Sequence, residues 1–129
     1  MNLNLKNKNF IISGSSRGIG FKIAENLLSE GARVVITGRS KNLIRTQFKK
    51  LSLKFNPRVS FVHGDIKNKI VLKKIDKLIK KKWKKLDGIV ANAGSVKEKI
   101  DLFSSEKDFH WYQENNFLPA FKFVNYFLK

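Results

Sequence analysis

Apolar positions along this chain switch between two periods. Short β-branched or aromatic runs alternate with stretches in which apolar residues recur every three or four positions, the pattern of strands followed by helices. Asn9-Phe10-Ile11-Ile12-Ser13 ends at Gly14 and reads as a buried strand. From Ile19 to Leu28, the residues Ile19, Ile23, Ala24, Leu27 and Leu28 share one helical face, and Gly31 stops the helix. Ala32 to Thr37 is a second buried strand, and Ser40 caps a helix carrying Leu43, Ile44, Phe48 and Leu51. Pro57 marks a turn before a third strand, Val59 to His63. Ile70 to Lys85 is helical, with Val71, Ile75, Leu78, Ile79 and Trp83 on one face. Its other face carries Lys73, Lys74, Lys77, Lys80, Lys81 and Lys84 and reads as a solvated surface. Gly88 to Ala91 is a fourth short strand. Ser104 and Ser105 read as the cap of a last helix, in which Phe109, Tyr112, Asn116, Leu118, Phe121, Val124 and Leu128 offer a broad apolar surface.

Strands that alternate with helices at this spacing form parallel sheets, with the helices crossing over them. Right-handed crossovers leave few topologies. The favoured one is a partial doubly wound α/β sheet of strand order 3-2-1-4. Residues 1–129 then form a single domain, expected to be incomplete at its C-terminus.

Composition narrows the setting. The absence of cysteine excludes disulfides and thiolate metal sites and points to a reducing, cytoplasmic location. The polar N-terminus lacks a secretory signal, and the apolar runs are too short to span a bilayer. The net charge of +17 raises the prospect of a nucleic-acid partner. The excess is carried by 22 lysines against 5 arginines. Base-reading and bidentate phosphate sites favour arginine, so no specific nucleic-acid role is expected. His63 and His110 are isolated and suggest no metal site.

The chemistry concentrates in Ser13-Gly14-Ser15-Ser16-Arg17-Gly18-Ile19-Gly20, between the first strand and the first helix. Gly14 allows a sharp turn off the strand, Gly18 lets backbone approach an anionic group, and Gly20 removes a side chain where helix meets sheet. The helix N-terminus offers N–H groups and partial positive charge to a pyrophosphate. This turn resembles the Thr-Gly-x-x-x-Gly-x-Gly pattern of the short-chain dehydrogenase/reductase family, with Ser13 keeping the hydroxyl of the Thr. The resemblance runs from Phe10 to Phe121 and implies a Rossmann-like fold and a nicotinamide cofactor held by Gly14, Ser16, Arg17, Gly18, Ile19 and Gly20.

Further pieces match in order. Thr37-Gly38-Arg39 lacks the acid that selects the unphosphorylated ribose of NAD. Arg39 and Arg17 instead offer guanidinium donors to a 2′-phosphate, so NADP(H) is expected over NAD. The resemblance implies that Asp65 accepts from the adenine amino group while the N–H of Ile66 meets a ring nitrogen; a helix N-cap is the other role open to Asp65. Asn92-Ala93-Gly94 resembles the family's Asn-Asn-Ala-Gly stretch, with Ala91 replacing the first Asn. The small residues leave room for the cofactor ribose, and Asn92 can tie strand ends together. Asn116 matches the family asparagine that helps hold a water in the proton relay, with Asn115 as the register alternative.

The family's carbonyl-polarising Ser and its Tyr-x-x-x-Lys pair lie after a fifth strand, and no Tyr-x-x-x-Lys occurs here. Tyr112 is followed at that spacing by Asn116, and Tyr126 has Lys129 three residues on rather than four. The expectation is the NADP(H)-binding portion of a reductase acting on a small carbonyl or alcohol substrate, inactive alone, with any oligomer depending on later elements. A non-catalytic module binding a nucleotide or an acidic partner is the alternative.

Overall fold

In the computed structural model, which describes residues 3–97 and 105–128, the short apolar runs are strands. They are β1 (Asn9–Ile12), β2 (Arg33–Gly38), β3 (Val59–His63) and β4 (Gly88–Val90). They form one four-stranded parallel sheet of order β3-β2-β1-β4, as the alternation predicts. Ile11 lies between Val35 and Ile89 in register. Ser104 and Lys129 fall outside the described residues.

Both faces of the sheet are covered, which is why its strands are continuously rather than alternately apolar. On one face Ile12, Val34 and Ile36 meet Ala24 and Leu28 of helix α1 (Gly18–Ser29) and Ile44 and Leu51 of helix α2 (Lys41–Phe55). On the other face Ile11 and Val35 meet Val71, Leu72, Ile75 and Ile79 of helix α3 (Lys69–Trp83). Each fully buried Ile, Leu or Val side chain contributes about 1.5–3 kcal/mol of transfer free energy.

Chain punctuation follows local chemistry. Gly31, at φ +88°, takes the left-handed conformation that ends α1. Ser40 caps α2 by accepting the Leu43 N–H, as expected. The third helix stops at Trp83 instead of running to Lys85, because Lys84 turns to φ +67°. Asn68, and not Asp65, is its N-cap, accepting the Ile70 N–H.

The C-terminal segment differs from expectation. It is α4 (Glu106–Tyr112), a π-helical turn (Gln113–Phe117) and α5 (Leu118–Phe127). The expected apolar face is not the packed one. Pro119 and Phe123 are buried, and Phe123 joins the cluster formed with α3. Phe109, Leu118, Phe121 and Leu128 are exposed. Periodicity locates apolar residues on a helix but cannot say which side meets the sheet when apolar residues nearly encircle it.

Candidate functional site

The carboxyl ends of the four strands open into one cleft of about 420 Å³. It lies where the strand order reverses between β1 and β4, the place at which open α/β sheets bind ligands.

The floor is set by the turn after β1. Gly14 sits at φ +63°, and a Cβ there would come within 2.8 Å of the Ala93 Cα. At Gly20 a Cβ would lie 2.5 Å from both the Gly14 carbonyl oxygen and the Asn92 Nδ2. Gly20 therefore serves the junction of the two loops rather than helix–sheet packing in general. Gly18 has open space on its Cβ side; its requirement is conformational, at φ +57°.

A polar network that the sequence only partly suggests holds the loops. Ser15, fully buried, donates to the Ile12 carbonyl at 2.8 Å and accepts the Thr37 N–H at 2.8 Å. Ser13 Oγ accepts the N–H groups of Asn92 and Ala93 at 2.9 and 3.0 Å. Asn92 donates through Nδ2 to the carbonyls of Ser13 and Gly14 at 3.2 and 3.0 Å, tying together the ends of β1 and β4. The preserved hydroxyl at Ser13 is thus in use. Buried networks fully paired in this way fix one geometry.

The cleft brings together most of the residues singled out in the sequence. Gly14, Ser16, Arg17 and Ile19 line it from the first loop. Arg39 enters from the end of β2, Asp65 and Ile66 from the end of β3, and Asn92, Ala93 and Gly94 from the end of β4. Gly18, Gly20 and Asn116 are not part of this lining: Gly18 is exposed beside it, Gly20 is buried under the Gly14 and Asn92 loops, and Asn116 holds Ser95. Ile19, assigned by its spacing to the packed face of α1, is 75% exposed on the cleft side of the helix start. No side chain caps α1, whereas Ser40, Asn68 and Ser105 cap α2, α3 and α4.

Asp65 accepts the Lys67 N–H at 2.9 Å through Oδ1, a local turn that aims the carboxylate. Asn116 grips Ser95 at both backbone groups: Oδ1 accepts its N–H at 2.6 Å and Nδ2 donates to its carbonyl at 3.0 Å. A Cβ on Gly94 would meet Asn116 Oδ1 at 2.8 Å. Both polar ends of this side chain are therefore occupied by the loop it supports. Beyond Ser95, Lys97 pairs with Asp108, its ammonium lies 5.4 Å from the Trp111 ring centroid, and its N–H donates to the Tyr112 hydroxyl. The Lys97 hydrogen bond, followed by those from Ser105, holds the Asp108 carboxyl well below the usual range. Asn115, the register alternative to Asn116, lines the cleft, as do Lys67 and Pro119, which were not expected there. Among the described residues no cluster of metal-ligating side chains occurs, and no helix is long and apolar enough to cross a membrane.

Known proteins share this arrangement. The family model described as short chain dehydrogenase matches residues 8–129. A 3-oxoacyl-[acyl-carrier-protein] reductase of Chlamydia muridarum is 35% identical over 109 residues, covering 84% of this chain and 44% of its own length. The (+)-neomenthol dehydrogenase of Arabidopsis thaliana is 34% identical over 88 residues, covering 65% of this chain and 29% of its own. L-sorbose reductase of Gluconobacter frateurii, solved with NADPH and L-sorbose, superposes with a TM-score of 0.84 at 25% identity, covering 99% of this chain and 49% of its own. An alcohol dehydrogenase of Thermococcus sibiricus, solved with 5-hydroxy-NADP, superposes with a TM-score of 0.79 at 28% identity, covering 95% of this chain and 52% of its own. The chain thus spans less than two thirds of the length of each of these relatives, and it belongs to the short-chain dehydrogenase family.

Proposed function

We propose that this chain binds NADP(H) in the cleft and forms the nucleotide end of a reductase that interconverts a small carbonyl compound and its alcohol. The observation that carries the reading is that Arg17 and Arg39 both line the cleft onto which the uncapped start of α1 opens. The donor set fits the group. The first-turn N–H groups of α1 lack intrahelical partners and suit the pyrophosphate. The two guanidinium groups suit the 2′-phosphate that distinguishes NADP from NAD.

The remaining roles follow the lining. Asp65 Oδ1 is occupied by the Lys67 N–H, so its other oxygen is the one assigned to the adenine amino group, with the Ile66 N–H at the ring. Ala93 and Gly94 keep space for the ribose, and Asn92 holds that loop against β1. Asn116 acts as a positioning residue through Ser95. NADP(H), when bound, supplies or accepts the hydride. Residues 1–129 contain no Tyr-x-x-x-Lys to handle the accompanying proton, so by themselves they bind without turnover. The cysteine-free sequence supports a cytoplasmic setting.

Fluorescence titration with NADPH and NADH tests the cofactor reading. The wild-type chain is expected to prefer NADPH by about tenfold or more, the size of one or two charge-assisted contacts. Arg39→Asp should abolish the preference; a mutant with undiminished preference overturns it. Incubation with NADPH and a panel of carbonyl compounds should show no oxidation of the cofactor.

A further inference from the structure

Asn115 and Asn116 are neighbours in the π-helical turn and serve different loops. Asn116 holds Ser95, after β4, while Asn115 accepts a hydrogen bond from Lys67, after β3, at 3.2 Å. The Asn115 amide is itself oriented, because Nδ2 donates to the Trp111 carbonyl at 2.8 Å. A π-helical turn has a smaller angular step per residue than an α-helix, so consecutive side chains diverge less and both can serve the same cleft. Such turns are frequent at functional sites.

The partner of Lys67 is neutral. Its ammonium makes no salt bridge within 4 Å among the described residues, so the hydrogen bond to Asn115 orients its charge without cancelling it. Lys8, Lys22, Lys80, Lys85 and Lys97 face carboxylates, and Lys82 also meets a neutral partner, the Ser60 hydroxyl; what distinguishes Lys67 is that it lines the cleft. An ammonium directed by one hydrogen bond and without a carboxylate partner, on a cleft also lined by Arg17 and Arg39, attracts an anion.

We propose that Lys67, positioned by Asn115, is a third phosphate-binding cation of this cleft. The assignment rests on the nucleotide reading above. Either the 2′-phosphate or the pyrophosphate supplies the anion, and the two cofactors separate them.

The test is titration of NADPH, NADH and adenosine against wild type, Lys67→Met, Lys67→Arg and Asn115→Asp, with circular dichroism to verify folding. Lys67→Met is expected to weaken NADPH binding about three- to tenfold, with the difference shrinking as salt rises, and to leave adenosine binding unchanged. Loss for NADPH alone assigns Lys67 to the 2′-phosphate; equal loss for NADH assigns it to the pyrophosphate. Lys67→Arg should retain most of the affinity. Asn115→Asp keeps the link as an ion pair but neutralises the ammonium, and should weaken NADPH binding as well. Binding of NADPH and NADH by Lys67→Met within twofold of wild type overturns the proposal, as does unchanged or tighter NADPH binding by Asn115→Asp, while Arg39→Asp still reports on the cofactor reading. A wild-type chain that binds neither cofactor removes both readings.

Discussion

Phe123 and Phe121 lie two residues apart on α5 in opposite surroundings. Phe123 is 0% exposed among residues of β1, β2 and α3, and Phe121 is 56% exposed. The same contrast separates the two regions of the molecule. The sheet with α1, α2 and α3 encloses most of its apolar residues on both faces, with Ile19, Leu53 and Ile70 left exposed on the helices. The segment from α4 to α5 is attached to that body by Phe123, with Tyr126 and Phe127 partly buried beside it, by the buried Pro119 and by a few polar links, and leaves Phe109, Phe117, Leu118, Phe121 and Leu128 exposed. The lesson is that one part of the cleft rests on a layered core, while the part carrying Asn115 and Asn116 rests on a small number of attachments.

The sharpest way to break this contrast is Phe123→Ala. Truncating a fully buried aromatic costs about 3–5 kcal/mol, and the loss should appear in thermal denaturation. Native-state hydrogen exchange should then show α4 and α5 losing protection ahead of β1 and β2. Simultaneous loss in both regions would mean that the molecule is one cooperative unit and the contrast is false. Next is Gly20→Val, which drives a side chain into the Gly14 carbonyl and the Asn92 amide. A cost of about 1–3 kcal/mol and loss of NADPH binding are expected, because the clash is with backbone at the cleft floor.

Asn116→Ala comes third. It removes two hydrogen bonds to Ser95 for about 1–2 kcal/mol, and should speed amide exchange at Ser95 while leaving β2 and β3 unchanged. The smallest effect is a pH dependence at the opposite end of the sheet. There Asp87 accepts the Asn9 N–H at 2.8 Å and pairs with Lys85 at 3.0 Å. Burial pushes this carboxyl up, but the Asn9 N–H and the neighbouring Lys85 and Lys8 together hold it below its ordinary value. Its stabilisation is therefore complete above the unfolded carboxyl's value of about 4 and is lost as pH falls through that value and then the depressed one. Urea titrations between about pH 6 and 2.5 should show Asp87→Asn with a flatter acid decline, by roughly 1 kcal/mol or less.

Much of the cleft was legible because its residues sit at strand ends, where punctuation is strong. Gly14, Arg39, Asp65 and Asn92 each follow an apolar run within a few residues, so spacing alone places them on the same edge. Ser15, Lys67 and the link between Lys67 and Asn115 were less legible. Ser15 works through a buried bond to Thr37, 22 residues away, and Lys67 meets Asn115 at a separation of 48. Arg58 is a similar case: it donates to the carbonyls of Leu28 and Ala32 and braces the end of α1, with no local signal for that role.

The sequence by itself determined the alternation of strands and helices, the parallel order β3-β2-β1-β4, and the cationic character of the cleft, because these follow from short-range periodicity, chain punctuation and residue chemistry. Tertiary structure decided which side of α5 is buried, that Gly20 guards a meeting of two loops, and that consecutive asparagines brace different loops from one π-helical turn. Those outcomes depend on which surfaces approach within a few ångströms of each other, and the spacing of residues along one chain segment does not encode that distance.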